Sequence, residues 1–504
     1  MGKTILITTG FIILLMMSAC SNNFGNMDPP HNDKEMPNHH MNHSGGNHNS
    51  SDNHMAMMGH DHDMPLQSST GNNEMKVPPI LESDKETEND VYYTIDAQQG
   101  QTEIFEGVQT KTLGYNSSFL GPVVKLKKSQ TAHVTLKNSL DEETTFHWHG
   151  LIIDGESDGG PHRVIQPGEE KEITFDVQQD NATLWFHPHP EGKTAKQVFD
   201  GLAGLLYIED EGMEDTYEYG ENDFPLILQD RTFDDEKQLD YRAVKDPDGT
   251  MGETLLINGT VNPRLTVNKE KVRLRLLNGS NMRNYTIKLN NNQSFEQIAS
   301  DGGLLNEPVE LNKIQLTPSE RAEIVIDFSQ FKTNEDVELK MDDGTVLLPF
   351  KMNEKEETES ENKIEQSTTP VTINDEVLKK PVSKEITLEG MGRHVSINGK
   401  KFDKDRIDLT QKQGETEVWE VYNKPDMMGG MIHPFHIHGT QFKVISINGK
   451  KPPKNLQGYK DTLSLDSGDK AKIAVKFIEK GTFMYHCHIL EHEDNGMMGQ
   501  IKVE

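Results

Sequence analysis

A thiol stands between two imidazoles near the end of the chain, in His486-Cys487-His488-Ile489-Leu490-Glu491-His492-Glu493-Asp494-Asn495-Gly496-Met497. The preceding stretch, Gly481 to Tyr485, reads as a β-strand entering a core. Side chains alternate faces along a strand, so His486 and His488 point one way and Cys487 the other. Beyond Leu490 the chain turns, which lets His492 and Met497 return to the side of Cys487. One thiolate, two imidazoles and a distant thioether form the ligand set of a blue-copper electron-transfer site. Cys487 and His492 supply two of those ligands, Met497 supplies the weak axial one, and the second imidazole comes from elsewhere. His486 and His488 are left to bond a different metal, so one strand joins two metal sites through three consecutive residues.

Three further clusters supply imidazoles: His147-Trp148-His149-Gly150, His187-Pro188-His189 and His433-Pro434-Phe435-His436-Ile437-His438-Gly439. In each, an i, i+2 pair sets two rings on one strand face. The chain has 21 His, eight of them between His31 and His62, and ten of the other thirteen fall in the four motifs. A lone His-X-His is usually a surface or core pair. Four such motifs at strands, one of them holding a Cys, make a chance arrangement rare.

These four motifs, in this order, resemble the multicopper oxidases, most closely the bacterial laccase and cuprous-oxidase (copper-efflux-oxidase-like) branch, from about Asp90 to Glu504. The resemblance implies four copper ions. His433, Cys487, His492 and Met497 would hold a type 1 (blue) copper, and His147 and His436 a type 2 copper. His149, His187 and His488 would hold one type 3 copper, and His189, His438 and His486 the other. It also implies reduction of O2 to water by electrons that enter singly at the blue site and pass from Cys487 to His486 or His488. Asp158, in Asp158-Gly159-Gly160-Pro161, and Glu493, directly after His492, match the family's acidic residues near the cluster and would carry protons. The reductant stays open. Asp426, Met427, Met428 and Met431 precede His433, and thioethers with a carboxylate suit Cu(I); the same Met residues could equally be apolar packing. The acidic stretch from Lys351 to Pro370 has a single Met, unlike the Met-rich insert of the best-known cuprous oxidases.

The positioning elements are β-strands. From Asp90 onward short β-rich runs alternate with Gly, Pro and Asn turns. A repeat appears three times: a strand ending at Asn138, Asn278 or Asn423, then a core strand, a turn at Gln166-Pro167, Thr317-Pro318 or Asp466-Ser467, and a further alternating strand. The expected fold is all-β, with three cupredoxin-like Greek-key β-sandwiches at 90–210, 222–350 and 381–504, and an acidic linker at 351–380. Copies one and three carry His pairs at equivalent places and should pool eight His across a pseudo-two-fold. Copy two has none and reads as a spacer that holds them. At 504 residues the chain accommodates three such domains.

Residues 1–19 read as a lipoprotein-type signal peptide, and Met17-Ser18-Ala19-Cys20 resembles a bacterial lipobox. Cys20 would then carry lipid, placing the chain outside the cytoplasm, membrane-anchored or secreted. Only two Cys exist, so Cys487 would have no disulfide partner and would be committed to metal. Residues 20–89 read as a disordered Met/His-rich linker, either a copper-collecting tether or a plain spacer. Lys plus Arg total 51 against 82 Asp plus Glu, a net charge of -31, which excludes nucleic acid as a partner. The partners expected are O2 and either Cu(I) or small aromatic reductants, for a monomer with a role in copper homeostasis. Two other readings remain: a laccase oxidising phenols or aromatic amines, and a non-catalytic copper-binding or electron-transfer protein. Eight His beyond the blue site weigh against the last, since an electron carrier needs one copper.

Overall fold

The structure is a computed structural model. It describes residues 64–504 except 211–214, 244–247, 269, 354–372, 374, 375 and 428. The signal-peptide, lipobox and His-rich tail expectations for residues 1–63, and most of the acidic linker, lie outside the described residues.

Three cupredoxin-like β-sandwiches follow one another. In the first, a four-stranded sheet runs in the order Val123–Lys127, Gly204–Glu209, Ala182–His187, His147–His149. It faces a five-stranded sheet built on the long strand Asp90–Phe105, whose buried and half-exposed residues alternate from Val91 to Ala97. That period of two is what a half-buried strand requires. Val91, Ile95, Val134, Leu136, Leu184 and Phe186 meet between the sheets. The second sandwich pairs a six-stranded with a seven-stranded sheet, and the third a six-stranded with a five-stranded sheet.

The two copies that carry His pairs use one design. In the first domain His147–His149 pairs antiparallel with Ala182–His187, setting His147 opposite His187. In the third, His433–Ile437 pairs antiparallel with Gly481–Cys487, setting His436 opposite His486. Each domain therefore brings one adjacent strand pair, with the His rings on one face.

Two boundaries differ from the expectation. The disordered linker was expected to reach residue 89, but residues 64–89 are an ordered strap. Asn73–Glu74 pairs in parallel with Pro263 and Arg264 of the second domain, Leu66 and Met75 are buried in that domain's core, and Lys85–Glu86 pairs with the first domain. Polar composition hid this, because few apolar side chains are involved (Leu66 and Met75 buried, Val77 and Leu81 packed against the cores) and much of the strap is held by backbone hydrogen bonds such as Ser69 N to Val346 O, 2.8 Å. The second difference is at residue 350. The strand Val346–Asn353 continues through Lys351, Met352 and Asn353, which pair with Thr266, Val267 and Asn268.

The strap yields a prediction. Leu66→Ala should lower the free energy of unfolding by about 2–5 kcal/mol, as expected for a buried Leu. Denaturant unfolding checks it: a freely moving tail would leave the midpoint unchanged.

Candidate metal centres

Cys487 ends its strand fully buried, and the short helix Leu490–Asp494 turns the chain back toward it. The backbone sets the return. Cys487 N donates to Met497 O at 3.2 Å, and Met497 N donates to His492 O at 2.9 Å. His492 Nδ1 lies 3.7 Å from Cys487 Sγ, and His433 joins both in a group whose ligand atoms lie within 4.8 Å of one another. Met497 is buried in the same core cluster as Cys487. Ile489 N–H points at the sulfur from 3.5 Å. Burial pushes the thiol well above its usual range and holds His433 down to about 4. A thiol buried this deeply ionises only against a cation, and a neutral imidazole is the form that binds metal.

On the opposite face of the strand, eight imidazoles from the first and third domains converge. His438 Nε2 and His189 Nε2 lie 3.1 and 3.3 Å from His486 Nε2. His149 Nδ1 lies 3.4 Å from His187 Nε2, with the His488 ring 5.0 Å from that of His149 and 5.4 Å from that of His187. His147 and His436 face each other with ring centroids 5.8 Å apart. All eight are buried, and desolvation lowers their basicity, so each ring is neutral.

The donor set fits copper by what it leaves unmade. His147 Nε2, His436 Nε2 and both nitrogens of His488 are buried without a hydrogen-bond partner, and so are Nε2 of His433 and of His492. Unpaired buried polar atoms are rare and call for an explanation such as an ion. The outward nitrogens, by contrast, are anchored. Nδ1–H of His147, His187, His436 and His486 donates to the carbonyls of Asp158, Pro188, Asp461 and Cys487, each at 2.9 Å. Such bonds fix the tautomer and aim the free lone pair.

Both predicted acids lie beside this cluster. Asp158 is buried in the first domain, and its Oδ2 accepts from His438 Nδ1 of the third at 2.8 Å. With its carbonyl on His147, one residue ties rings from two domains. Glu493 is also buried, its carboxylate 3.3 Å from His189 Nδ1 and 3.5 Å from His486 Nδ1. Desolvation raises both carboxyls well above the ordinary range.

The proposed reductant residues are less convergent. Met431 packs against the third domain's core, and its carbonyl accepts from Asn423 Nδ2 at 2.7 Å while Asn423 Oδ1 accepts from His433 Nδ1 at 2.7 Å. Met427 is fully exposed. Asp426 is half-buried in the same loop, and Met428 lies outside the described residues.

Three residues with roles at the site lie outside the ligand motifs. Asn423, the Asn that closes a repeated strand, fixes the His433 ring. Trp185 stacks on the His187 ring with centroids 4.1 Å apart. Asp461 lies behind His149, accepting from its Nε2 at 3.0 Å. One indirect signal existed for Asp461. Gly150 follows His149 at φ +86°, and a side chain there would lie 2.5 Å from Asp461 Oδ2.

Comparison with known proteins agrees with this geometry. Multicopper oxidase family profiles match residues 96–212, 222–335 and 375–504. The chain is 56% identical over 449 residues to the multicopper oxidase mco of Staphylococcus haemolyticus, covering 89% of this chain and 96% of the relative. It superposes on the crystal structure of a laccase from Pediococcus acidilactici with a TM-score of 0.82 and 46% identity, over 87% of this chain and 95% of that one. A laccase-like multicopper oxidase CueO from Ochrobactrum sp., described with oxidase activity towards lignin model compounds and lignosulfonate, aligns at 33% identity and a TM-score of 0.75, over 85% and 100% of the two chains. The chain belongs to the multicopper oxidase family. It is a copper-dependent oxidoreductase.

Proposed function

We propose that the protein binds four coppers and couples one-electron oxidation of Cu(I) to four-electron reduction of O2 to water, with a role in copper tolerance. The observation that carries this reading is the strand Gly481–Cys487 with His488, which turns Cys487 to one donor group and His486 and His488 to another. Bound copper supplies the redox chemistry. His433, Cys487, His492 and Met497 would hold the type 1 ion, and the eight remaining His the type 2 ion and the type 3 pair. The chain's part is to fix positions and exclude water. Asp158, hydrogen-bonded to His438, and Glu493, 3.3 Å from His189 Nδ1, would hold protons for the oxygen end of the reaction.

Cu(I) as the reductant is supported by the exposed thioether of Met427 and by Met431, two residues before His433. Soft sulfur ligands suit Cu(I). The laccase reading is favoured by the relatives named laccase, and a phenol would need only an open apolar edge at His433. A lipid anchor on Cys20 and copper collection by the His- and Met-rich residues 27–65 complete the proposal for a protein outside the cytoplasm.

The test compares Cu(I) and a phenol by O2 uptake, after confirming four coppers per chain. Changing Met427, Met428 and Met431 together to Leu keeps apolar bulk and removes sulfur. We expect Cu(I) oxidation to fall more than about tenfold, equivalent to about 1.4 kcal/mol of transition-state stabilisation, with phenol oxidation kept or raised. If the Leu variant oxidises Cu(I) as well as the parent, the Met residues are packing and the laccase reading takes the lead.

A further inference from the structure

His149 is turned the opposite way from its neighbours. Four of the cluster rings anchor Nδ1 on a backbone carbonyl, and His438 anchors Nδ1 on Asp158. His149 instead donates Nε2–H to Asp461 and turns Nδ1 toward His187 Nε2. Its orientation therefore rests on a side chain rather than on main chain. That side chain belongs to the third domain, while His149 belongs to the first.

Asp461 is itself held by the domain that carries no ligand. Arg321 Nη1 and Nη2 donate to its two carboxylate oxygens at 2.7 and 2.5 Å, a bidentate pair with both residues fully buried. The same guanidinium donates through Nε to Thr183 O of the first domain at 3.2 Å, and to Ser319 O and Asp301 O of its own domain. One arginine thus touches all three domains, directly behind a cluster ring.

We propose that Arg321 is a positioning residue for His149: through Asp461 it decides which imidazole nitrogen faces the cluster, and so makes docking of the ligand-free domain a condition for filling it. An ionised carboxylate can only accept, so the hydrogen it meets on His149 must be on Nε2, and the lone pair must be on Nδ1. A bidentate guanidinium engages both oxygens of that carboxylate and fixes its aim in a dry interface. Without it, Asp461 loses both guanidinium bonds and its counter-ion and keeps only Thr462 Oγ1, at 3.0 Å, and His149, so the hold on the ring is loosened to the Asp461 contact and a 3.3 Å approach of Thr462 Oγ1. Gly150 belongs to the same device, since a Cβ there would lie 2.5 Å from Asp461 Oδ2 and 2.7 Å from Arg321 Nη2.

This inference rests on His149 being a type 3 ligand, and the test separates the two claims. Full-length parent, Arg321→Gln, Arg321→Lys and Lys460→Met are prepared metal-free and titrated with copper. Lys460 is the control: it precedes Asp461 in the chain and is buried in the same interface, but its ammonium pairs with Asp301 and Glu320 and not with the Asp461 carboxylate or a cluster ring. Copper per chain, type 3 near-ultraviolet absorption, type 2 electron paramagnetic resonance and metal-free unfolding temperature are read for each. Loss of an outer partner costs about 10–100-fold in metal affinity. We therefore expect Arg321→Gln to need that much more copper to develop the type 3 absorption while filling its blue site normally. Arg321→Lys should recover part of the loss. Lys460→Met should lower the unfolding temperature and keep the parent's copper titration. The proposal is overturned if Arg321→Gln develops type 3 absorption at parent copper levels, or if Lys460→Met loses it to the same extent. Should the Gln variant fail to fold, Arg321→Lys against Lys460→Met carries the same comparison. A parent that never shows a type 3 signal overturns the cluster assignment, whatever the variants do.

Discussion

Cys487→Ser should abolish the blue absorption and reduce oxidase turnover to background, while the imidazole cluster still takes up copper. Cys487 is the only cysteine among the described residues. A hydroxyl is a hard, poorly acidic oxygen and cannot reproduce a thiolate bond to copper. The change leaves the core almost undisturbed, because Ser is close to Cys in size and the site is lined by Phe435, Ile489 and Met497 of the surrounding cluster. The other face should be spared for a geometric reason: His486 and His488 point away from Cys487 and are anchored or packed independently of the sulfur. Absorption spectroscopy and copper analysis of the purified variant check both halves. A Ser variant that stays blue, or one that loses all copper, contradicts this arrangement.

Asp158→Asn should slow O2 reduction by about 10²–10⁴-fold, the usual contribution of a positioned acid or base, with reduction of the blue site nearly unchanged. Asn keeps the shape and an oxygen that can accept from His438, but it cannot donate and regain a proton. Rapid mixing resolves the two half-reactions; equal slowing of both would show that the substitution has disturbed the whole assembly. Stability provides a second check. Burial raises this carboxyl above its unfolded value, so ionisation costs folding free energy once the pH exceeds that unfolded value. The metal-free Asn variant should therefore be as stable as the parent or more so near neutral pH. The gain should fade as the pH falls into the ordinary carboxylate range, where the parent side chain is neutral in both states.

Much of this site was legible in sequence because its parts are local. A His-X-His pair on a strand reports its own geometry through the two-residue period, and Cys487 between His486 and His488 reports two faces at once. Repeated strand ends at Asn138, Asn278 and Asn423 exposed the three sandwiches, and all three Asn side chains hydrogen-bond neighbouring carbonyls. What stayed hidden is what depends on distant chain. Asp461 and Arg321 are 140 residues apart, and neither lies in a ligand motif. A spacer domain was expected to contribute bulk, but it supplies a charge in contact with the carboxylate behind His149. The strap at residues 64–89 was misread for a related reason. Its polar composition resembles a linker, and the partners of Ser69 and of Asn73–Glu74 lie nearly two hundred residues further on.

That strap bears on the order in which the protein can assemble during synthesis. Leu66 and Met75 leave the ribosome first, yet the strands that cover them, Pro263–Asn268 and Val346–Asn353, are made much later. At roughly 5–20 residues per second, the usual elongation rate, the strap waits on the order of ten seconds or more for its place. The first sandwich can close in that interval from its own strands, with His147, His149, His187 and His189 in place but facing nothing. The middle domain is complete only when the strap returns to it, and the last six cluster and blue-site imidazoles are translated after that. A nascent chain therefore passes through a long period in which it displays half a metal site, and cofactor capture belongs to the finished polypeptide.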